Sequence, residues 1–276
     1  MASAGTLRTV NRFDWPAPPE RLRTEVQAML DALIEALGEV APPHTWRGLY
    51  FKGSASKLWH SPCDYLPELS DLDLHLWLHG GEAAALPTST RSALAFAERV
   101  ERGYQNRIAA PLHWPRPQVL LLNGRLTQSG WARSGVTVLS GEAYPGAAPD
   151  PASDRSALWQ VHREAQHLGP ALFDKPGPYG WAALRAVNWR ISPAPARLLS
   201  ALGAGEWVWQ APRSALFEAL SDRGLSEVAG AFEAYYRWGW LAFSRRWQDG
   251  AAMREAVHAG LGALALAAES SGPAPA

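Results

Sequence analysis

Between positions 19 and 39 the apolar residues fall at helical spacing. Leu22, Val26, Leu30, Leu33, Ile34 and Leu37 recur every three or four residues, which places them on one face of an α-helix. Pro42-Pro43 ends that pattern, because proline disfavours helical backbone in the residue before it. Gly48-Leu49-Tyr50-Phe51 reads as a short strand running into a turn at Lys52-Gly53-Ser54. After a polar, proline-containing loop, Asp71 to Leu78 alternates throughout. Asp71, Asp73, His75 and Trp77 share one face, and Leu72, Leu74, Leu76 and Leu78 share the other. This is the pattern of a half-buried strand with its leucine face on a core. The pattern next predicts a helix over Thr88 to Tyr104 and strands over Gln118 to Leu122 and Val136 to Leu139. Pro145 to Ser153 has the composition of a linker. Everything after it reads as helical, most clearly Leu225 to Trp247, where Val228, Phe232, Tyr235, Tyr236, Trp240, Phe243 and Trp247 form a stripe. No internal repeat is visible. The outline is a small α/β unit over 1–146 followed by a helical unit over 147–276.

Composition sharpens this outline. The chain of 276 residues is 47% hydrophobic and 19% charged, enough to bury a core without disulfide or metal staples. Lys+Arg and Asp+Glu both number 26. A net charge of zero argues against duplex nucleic acid as a partner, since such proteins carry a basic footprint. Cys63 is the only cysteine, so no intrachain disulfide forms. Met1 to Trp15 has no apolar run of signal-peptide type, and Leu261 to Ala268 is far shorter than the roughly 20 residues that span a bilayer. The expectation is a cytoplasmic protein without a membrane partner. The tail from Ser270 to Ala276 reads as a frayed end. The 14 tryptophans read first as core material, since an indole ring carries a large apolar area.

The chemistry concentrates in Gly53-Ser54 and Asp71-Leu72-Asp73. Carboxylates at i and i+2 on a strand point the same way, with Cα atoms about 6.6 Å apart. Such a pair suits a hard divalent cation such as Mg²⁺, whose shell is completed by water and substrate phosphates. A glycine lets backbone approach a phosphate closely, and the Ser54 hydroxyl is a ready donor to it.

In this strand context the segment resembles the nucleotidyltransferase superfamily of DNA polymerase β type, which carries Gly-Ser after its first strand and Asp-x-Asp on the next. Gly135 to Glu142, Leu184 to Trp189, Ala196 to Gly205 and Glu206-Trp207-Val208 extend a weaker likeness to aminoglycoside adenylyltransferases over nearly the whole chain. The resemblance implies an α+β fold: a small mixed sheet with flanking helices, then an all-helical C-terminal domain. It also implies transfer of a nucleoside monophosphate, AMP from ATP, onto a hydroxyl of a small acceptor. Asp71 and Asp73 would bind Mg²⁺ and carry the catalysis. Gly53 and Ser54 would hold the phosphates, and Lys57, in a loop longer than that of compact members, would meet the triphosphate.

Two positions depart from the family pattern. Gln118 stands where a third acid is expected, and an amide accepts no proton at neutral pH. Gln210 stands where a phosphate-binding lysine is expected, with Arg213 nearby. Glu142, Glu68 and Asp64 are the substitute bases the sequence offers. These departures sustain an alternative, a catalytically attenuated nucleotide-binding module. A third reading is an antitoxin-like transferase that modifies a protein partner.

Other candidates have plainer readings. His60, Cys63, His75 and His79 approach zinc spacing, but on one strand His75 and His79 lie about 13 Å apart, too far for one zinc. His75 reads as part of a polar strand face and Cys63 as a loop cysteine. Trp207, Trp209, Trp238 and Trp240 read as interhelical packing. Arg185 and Arg190 read either as facing the cleft between units or as solvated.

Overall fold

The computed structural model describes residues 13–81, 86–124 and 134–275. The first twelve residues, on which the leader expectation partly rests, lie outside them. The N-terminal unit runs α1 (Pro19–Val40), β1 (Trp46–Lys52), β2 (Asp71–Leu78), α2 (Thr90–Arg107), β3 (Arg116–Leu121) and β4 (Val136–Gly141). The sheet is mixed, in the order β3-β2-β1-β4. β1 pairs antiparallel with both β2 and β4, and β2 pairs parallel with β3. The parallel pair needs a crossover, and α2 supplies it. The leucine face of β2 is buried with Leu22, Leu30 and Leu33 of α1 and Val100 and Tyr104 of α2. Each such leucine contributes roughly 1.5–3 kcal/mol on burial. The chain is thus α+β; β2 has its predicted limits, and β1, β3 and β4 depart from theirs by one or two residues.

The C-terminal unit is helical: α3 (Pro151–Gln166), α4 (Gly169–Leu172), α5 (Gly180–Ile191), α6 (Ala194–Ala201), α7 (Arg213–Asp222), α8 (Ser226–Ser244) and α9 (Gly250–Ser270). The last three residues of the predicted linker belong to α3, because Asp150 accepts from the backbone amides of Ala152 and Ser153 and caps the helix there. The tail is not frayed through Ser271-Gly272. Ser271 is buried, and the Trp159 indole donates to the Gly272 carbonyl at 3.2 Å. No helix among the described residues is long and apolar enough to cross a membrane.

The largest departure from expectation is the loop between β1 and β2. Its sequence reads as polar surface, yet Trp59, Cys63, Tyr65, Leu66 and Leu69 are all buried. The loop is the seam between the two units. The Trp240 indole donates to the Pro62 carbonyl at 2.8 Å, and the Asn188 amide donates to the Leu69 carbonyl at 2.8 Å. Leu66 packs so closely on Gly239 of α8 that any Cβ there would collide with it.

Asp64 and Arg213 fasten this seam. The Asp64 carboxylate accepts from the amides of His60 (2.7 Å) and Ser61 (2.9 Å) within the loop. Across the seam it accepts from the Ser214 amide (2.7 Å) and hydroxyl (2.9 Å). Ser214 sits in the first turn of α7, where the helix dipole favours a negative charge. Arg213 answers by donating to the Cys63 and Asp64 carbonyls at 3.3 and 2.7 Å. Its other nitrogen donates to Ser192 Oγ at 2.5 Å.

Removing the Asp64 side chain strands several buried donors at once. Asp64→Ala is expected to cost about 3 kcal/mol or more, read as a lower urea midpoint with both units still unfolding together. A loss below about 0.5 kcal/mol would show that the clamp is dispensable.

Candidate functional site

Strand register brings the sequence candidates together. Lys52 of β1 lies opposite Asp73 of β2, and Asp73 lies opposite Gln118 of β3. One row further, Asp71 lies opposite Arg116. These side chains open on a cavity of about 320 Å³ between the sheet and the helical unit. Gly53, Ser54, Lys57, Asp71, Asp73 and Gln118 line it from the first unit, and Asn188, Trp189, Ser192 and Arg213 line it from the second. Every residue assigned to metal or phosphate from the sequence therefore meets in one place, and Gln118 sits beside Asp73.

Gly53 is required by geometry. Its φ is 85°, a left-handed conformation that side chains disfavour. A Cβ there would also collide with Asp73 Oδ2. The missing side chain makes room for the carboxylate, a role distinct from the phosphate approach expected of it. Ser54 begins a single 3₁₀ turn over Ser54–Ser56, which Ser56 Oγ ties to the Gly53 carbonyl at 2.9 Å.

The electrostatics are those of charges crowded into a partly dry cleft. Burial pushes the Asp73 carboxyl up to about 6, although Lys52 and Arg213 pull it down. Burial lowers Lys52 to about 8, against the attraction of Asp73. Burial lowers Lys57 to about 7, and repulsion from Arg213 and Lys52 adds to that. Lys57 Nζ donates to the Ala211 carbonyl at 3.0 Å, across the seam. Asp71 is not a bare exposed carboxylate. Its Oδ1 is ion-paired with Arg116, whose guanidinium is lowered to about 10 by burial and by Arg185. The repulsion expected between two open carboxylates is therefore answered by a cation on each.

Several candidates lie elsewhere or are already engaged. Asp64 lines the cavity but is the clamp described above. The Glu68 carboxylate takes the Trp247 indole at 2.5 Å and the Trp114 amide at 3.4 Å. Glu142 is paired with Arg47 at 3.0 Å. Arg47 is five residues along β1 from Lys52, about 16 Å away. Gln210 is exposed at the end of the 3₁₀ turn Glu206–Trp209, and Arg213 is the helical unit's cation in the cavity. Arg185 lines a side chamber of about 170 Å³ that shares Asp71, Gln118, Asn188 and Trp189 with the main cavity. Arg190 instead reaches Glu164 and the Ala186 carbonyl. Of the four tryptophans, Trp240 is core, Trp209 lines the cavity, and Trp207 and Trp238 are exposed.

His75 differs from a solvated strand-face residue. It is buried, and its Nδ1 lies 2.9 Å from the Tyr144 hydroxyl. With Lys52, Asp73 and Gln118 it lines a smaller chamber of about 220 Å³. Burial and Lys52 lower its ring to about 4. Cys63 is buried, which pushes its thiol up to about 12 and leaves it unreactive. Among the described residues no group of three or more His, Cys, Asp or Glu could hold a metal ion, so a metal here would rest on two carboxylates.

Sequence reading missed Lys52, Arg116, Asn188 and Trp189. Two of these had a signal. Lys52 directly precedes Gly53, and Arg116 is two residues before Gln118, so a register pairing Gln118 with Asp73 pairs Arg116 with Asp71. Nothing local marks Asn188 and Trp189, which the fold of the helical unit delivers.

A carboxyl raised by burial favours the folded state at low pH and opposes it once ionised. The cost of Asp73 is absent below about pH 4, grows as pH rises toward about 6 and is full above that. Asp73→Asn is therefore expected to stabilise the fold at pH 7–8, by roughly 2 kcal/mol, with no gain at pH 4. Thermal melts across that range check it, and a variant less stable than its parent at pH 8 would contradict it.

Comparison with family models, with curated proteins and with solved structures returns no match.

Proposed function

We propose that this chain is a Mg²⁺-dependent nucleotidyltransferase that moves a nucleoside monophosphate, AMP from ATP, onto a hydroxyl of a small acceptor. The observation that carries the reading is the convergence of Asp71 and Asp73 with the Gly53-Ser54 turn, Lys57 and Arg213 on one cavity. The order of elements supports it. A helix, a strand, a Gly-Ser turn, an antiparallel strand bearing Asp-x-Asp, a crossover helix and a parallel third strand resemble the core of the DNA polymerase β type superfamily.

The residues fit the metal that this reading needs. Asp71 and Asp73 offer only oxygen donors from one strand face, the set that Mg²⁺ prefers. The buried Asp73 carboxyl, raised to about 6, is a desolvated anion that a cation would stabilise. Asp71 and Asp73 would hold the ion, which when bound supplies neutralisation of phosphate charge.

The chain's own groups do the rest. Lys52, Lys57 and Arg213 form a cation cluster that repels itself, and the β and γ phosphates relieve that repulsion. Ser54 donates to the same phosphates. Trp189 and Asn188 close the cavity from the helical side and orient what lies in it. The acceptor oxygen bonds to the α-phosphorus, the bond to the bridging oxygen breaks, and pyrophosphate leaves into the cation cluster. The hydroxyl proton passes to water, because Gln118 offers no basic atom.

Two features favour the second reading, an attenuated nucleotide-binding module. Gln118 occupies the place of a base, and Arg116 already neutralises Asp71.

Calorimetric titration of ATP separates the readings from no function at this site. Binding is expected to need Mg²⁺ and to weaken at least tenfold in Asp73→Asn. Undiminished binding in that variant would sink the assignment of the site. Gln118→Glu places a carboxylate beside Asp73 and is expected to raise transfer about a hundredfold, the low end of what general-base catalysis supplies. If the parent and Gln118→Glu both bind ATP yet transfer to no acceptor, the binding-module reading replaces the transferase.

A further inference from the structure

Behind β3 lies a second and larger cavity, of about 480 Å³. Met29 of α1, Phe96 and Val100 of α2, Val119 of β3, Trp114 and Trp181 of α5 wall it. That volume is typical of small-molecule sites, and so is the character: apolar and aromatic walls with few polar groups. Helix α2 leaves the space unfilled, since only Val100 and Tyr104 of its residues are fully buried.

Two of the charged groups at its margin are already committed, while Glu101 of α2 stands exposed at its rim. Glu68 is held by Trp247 and Trp114, and Arg116 by Asp71. The Trp181 indole nitrogen, by contrast, is buried without a hydrogen-bond partner among the described residues. The cavity shares one wall residue with the side chamber of the candidate active site. Arg116 lines it, lines the side chamber that contains Asp71 and Gln118, and pairs with Asp71. Arg185 lies over the Trp181 ring, 5.2 Å from its centroid, and lines the same side chamber.

We propose that this cavity holds the apolar body of the acceptor, a neutral aromatic or alicyclic alcohol rather than a polycationic sugar, with its hydroxyl directed past Arg116 toward Asp71. The inference rests on the transferase reading and names its substrate class. A polycation finds one exposed carboxylate, Glu101, at the rim of an otherwise apolar wall, and two arginines on the path to Asp71. A neutral ring system meets three aromatic side chains, Phe96, Trp114 and Trp181.

The test is calorimetric titration of 1-naphthol into the full chain, with kanamycin as the polycationic contrast and ATP with Mg²⁺ titrated in parallel. One saturable naphthol site is expected, with no kanamycin binding. Ala97 is exposed on α2 and lines the cavity, so Ala97→Trp fills it from an exposed helical position. That variant is expected to weaken naphthol binding at least tenfold. Ala97→Arg serves in its place if circular dichroism shows that the tryptophan variant misfolds. Ala93→Trp, on the same helix outside the cavity, is the control and is expected to bind as the parent does. No naphthol binding where ATP still binds overturns the inference and leaves the transferase reading standing. Naphthol binding indifferent to Ala97→Trp places the probe elsewhere and also overturns it. Naphthol binding without ATP binding overturns the acceptor role together with the transferase reading. Incubation with ATP and Mg²⁺ is expected to yield naphthyl adenylate and pyrophosphate.

Discussion

The candidate site exists because the β1–β2 loop is pinned to α7. Asp64 accepts four hydrogen bonds, two from its own loop and two from Ser214, while Arg213 caps the carbonyls of Cys63 and Asp64. This exchange orders a segment that has no strand or α-helix of its own, and it sets the distance between sheet and helical unit. The Gly53-Ser54 turn begins that segment, and Asp71 follows its end. A clamp built from backbone carbonyls and helix-end donors tolerates a buried carboxylate, because every charge is met by oriented dipoles rather than by water. Arg213 serves both ends of the argument, since the guanidinium that locks the loop also lines the cavity.

The same clamp explains why the cavity is positive. Holding Arg213 and Lys57 against the seam brings them toward Lys52, and Lys57 Nζ is further tied to the Ala211 carbonyl. With Arg116, four cations face the carboxylates of Asp64, Asp71 and Asp73. One of those carboxylates is consumed by the clamp and one by Arg116. Lysines lowered by burial and mutual repulsion gain little from the protein that surrounds them. Under the proposed function, a magnesium–nucleoside triphosphate, carrying about two net negative charges, would reverse that balance.

Much of this was legible in the chain, for identifiable reasons. The alternation over Asp71–Leu78 fixed which face of β2 carries carboxylates, since a side-chain period of two leaves no latitude. The spacing of Gly53-Ser54 before that strand fixed the turn. The place of Gln118 beside Asp73 comes from the parallel pairing of β3 with β2, which the sequence pattern did not predict. What failed was everything decided across the seam. The loop from Ala55 to Leu69 looks polar because Ser, His, Asp and Glu are scattered along it, but Ser56, Ser61, Asp64 and Glu68 bond to backbone while Trp59, Tyr65 and Leu66 enter the core. His75 looks solvated on a polar face, yet Tyr144 covers it. Such partners lie tens of residues away, and no local period records them.

Arg116 shows how a departure from a family pattern is read from physics. A third strand acid would add a negative charge beside Asp71 and Asp73 and raise both unless a cation were always present. With an amide at Gln118 and a guanidinium at Arg116, the strand next to β2 instead presents one neutral group and one positive group. The ion-free cleft is thereby stabilised without metal, at the cost of a competitor for the Asp71 carboxylate. An ion that binds there has to displace or share Arg116, so the two states of the site differ in where that guanidinium sits. Its displacement carries it along β3 toward the apolar cavity it also lines. Under the proposed function, nucleotide and acceptor would both bear on this one side chain, the minimal form of a two-state element that both ligands bias.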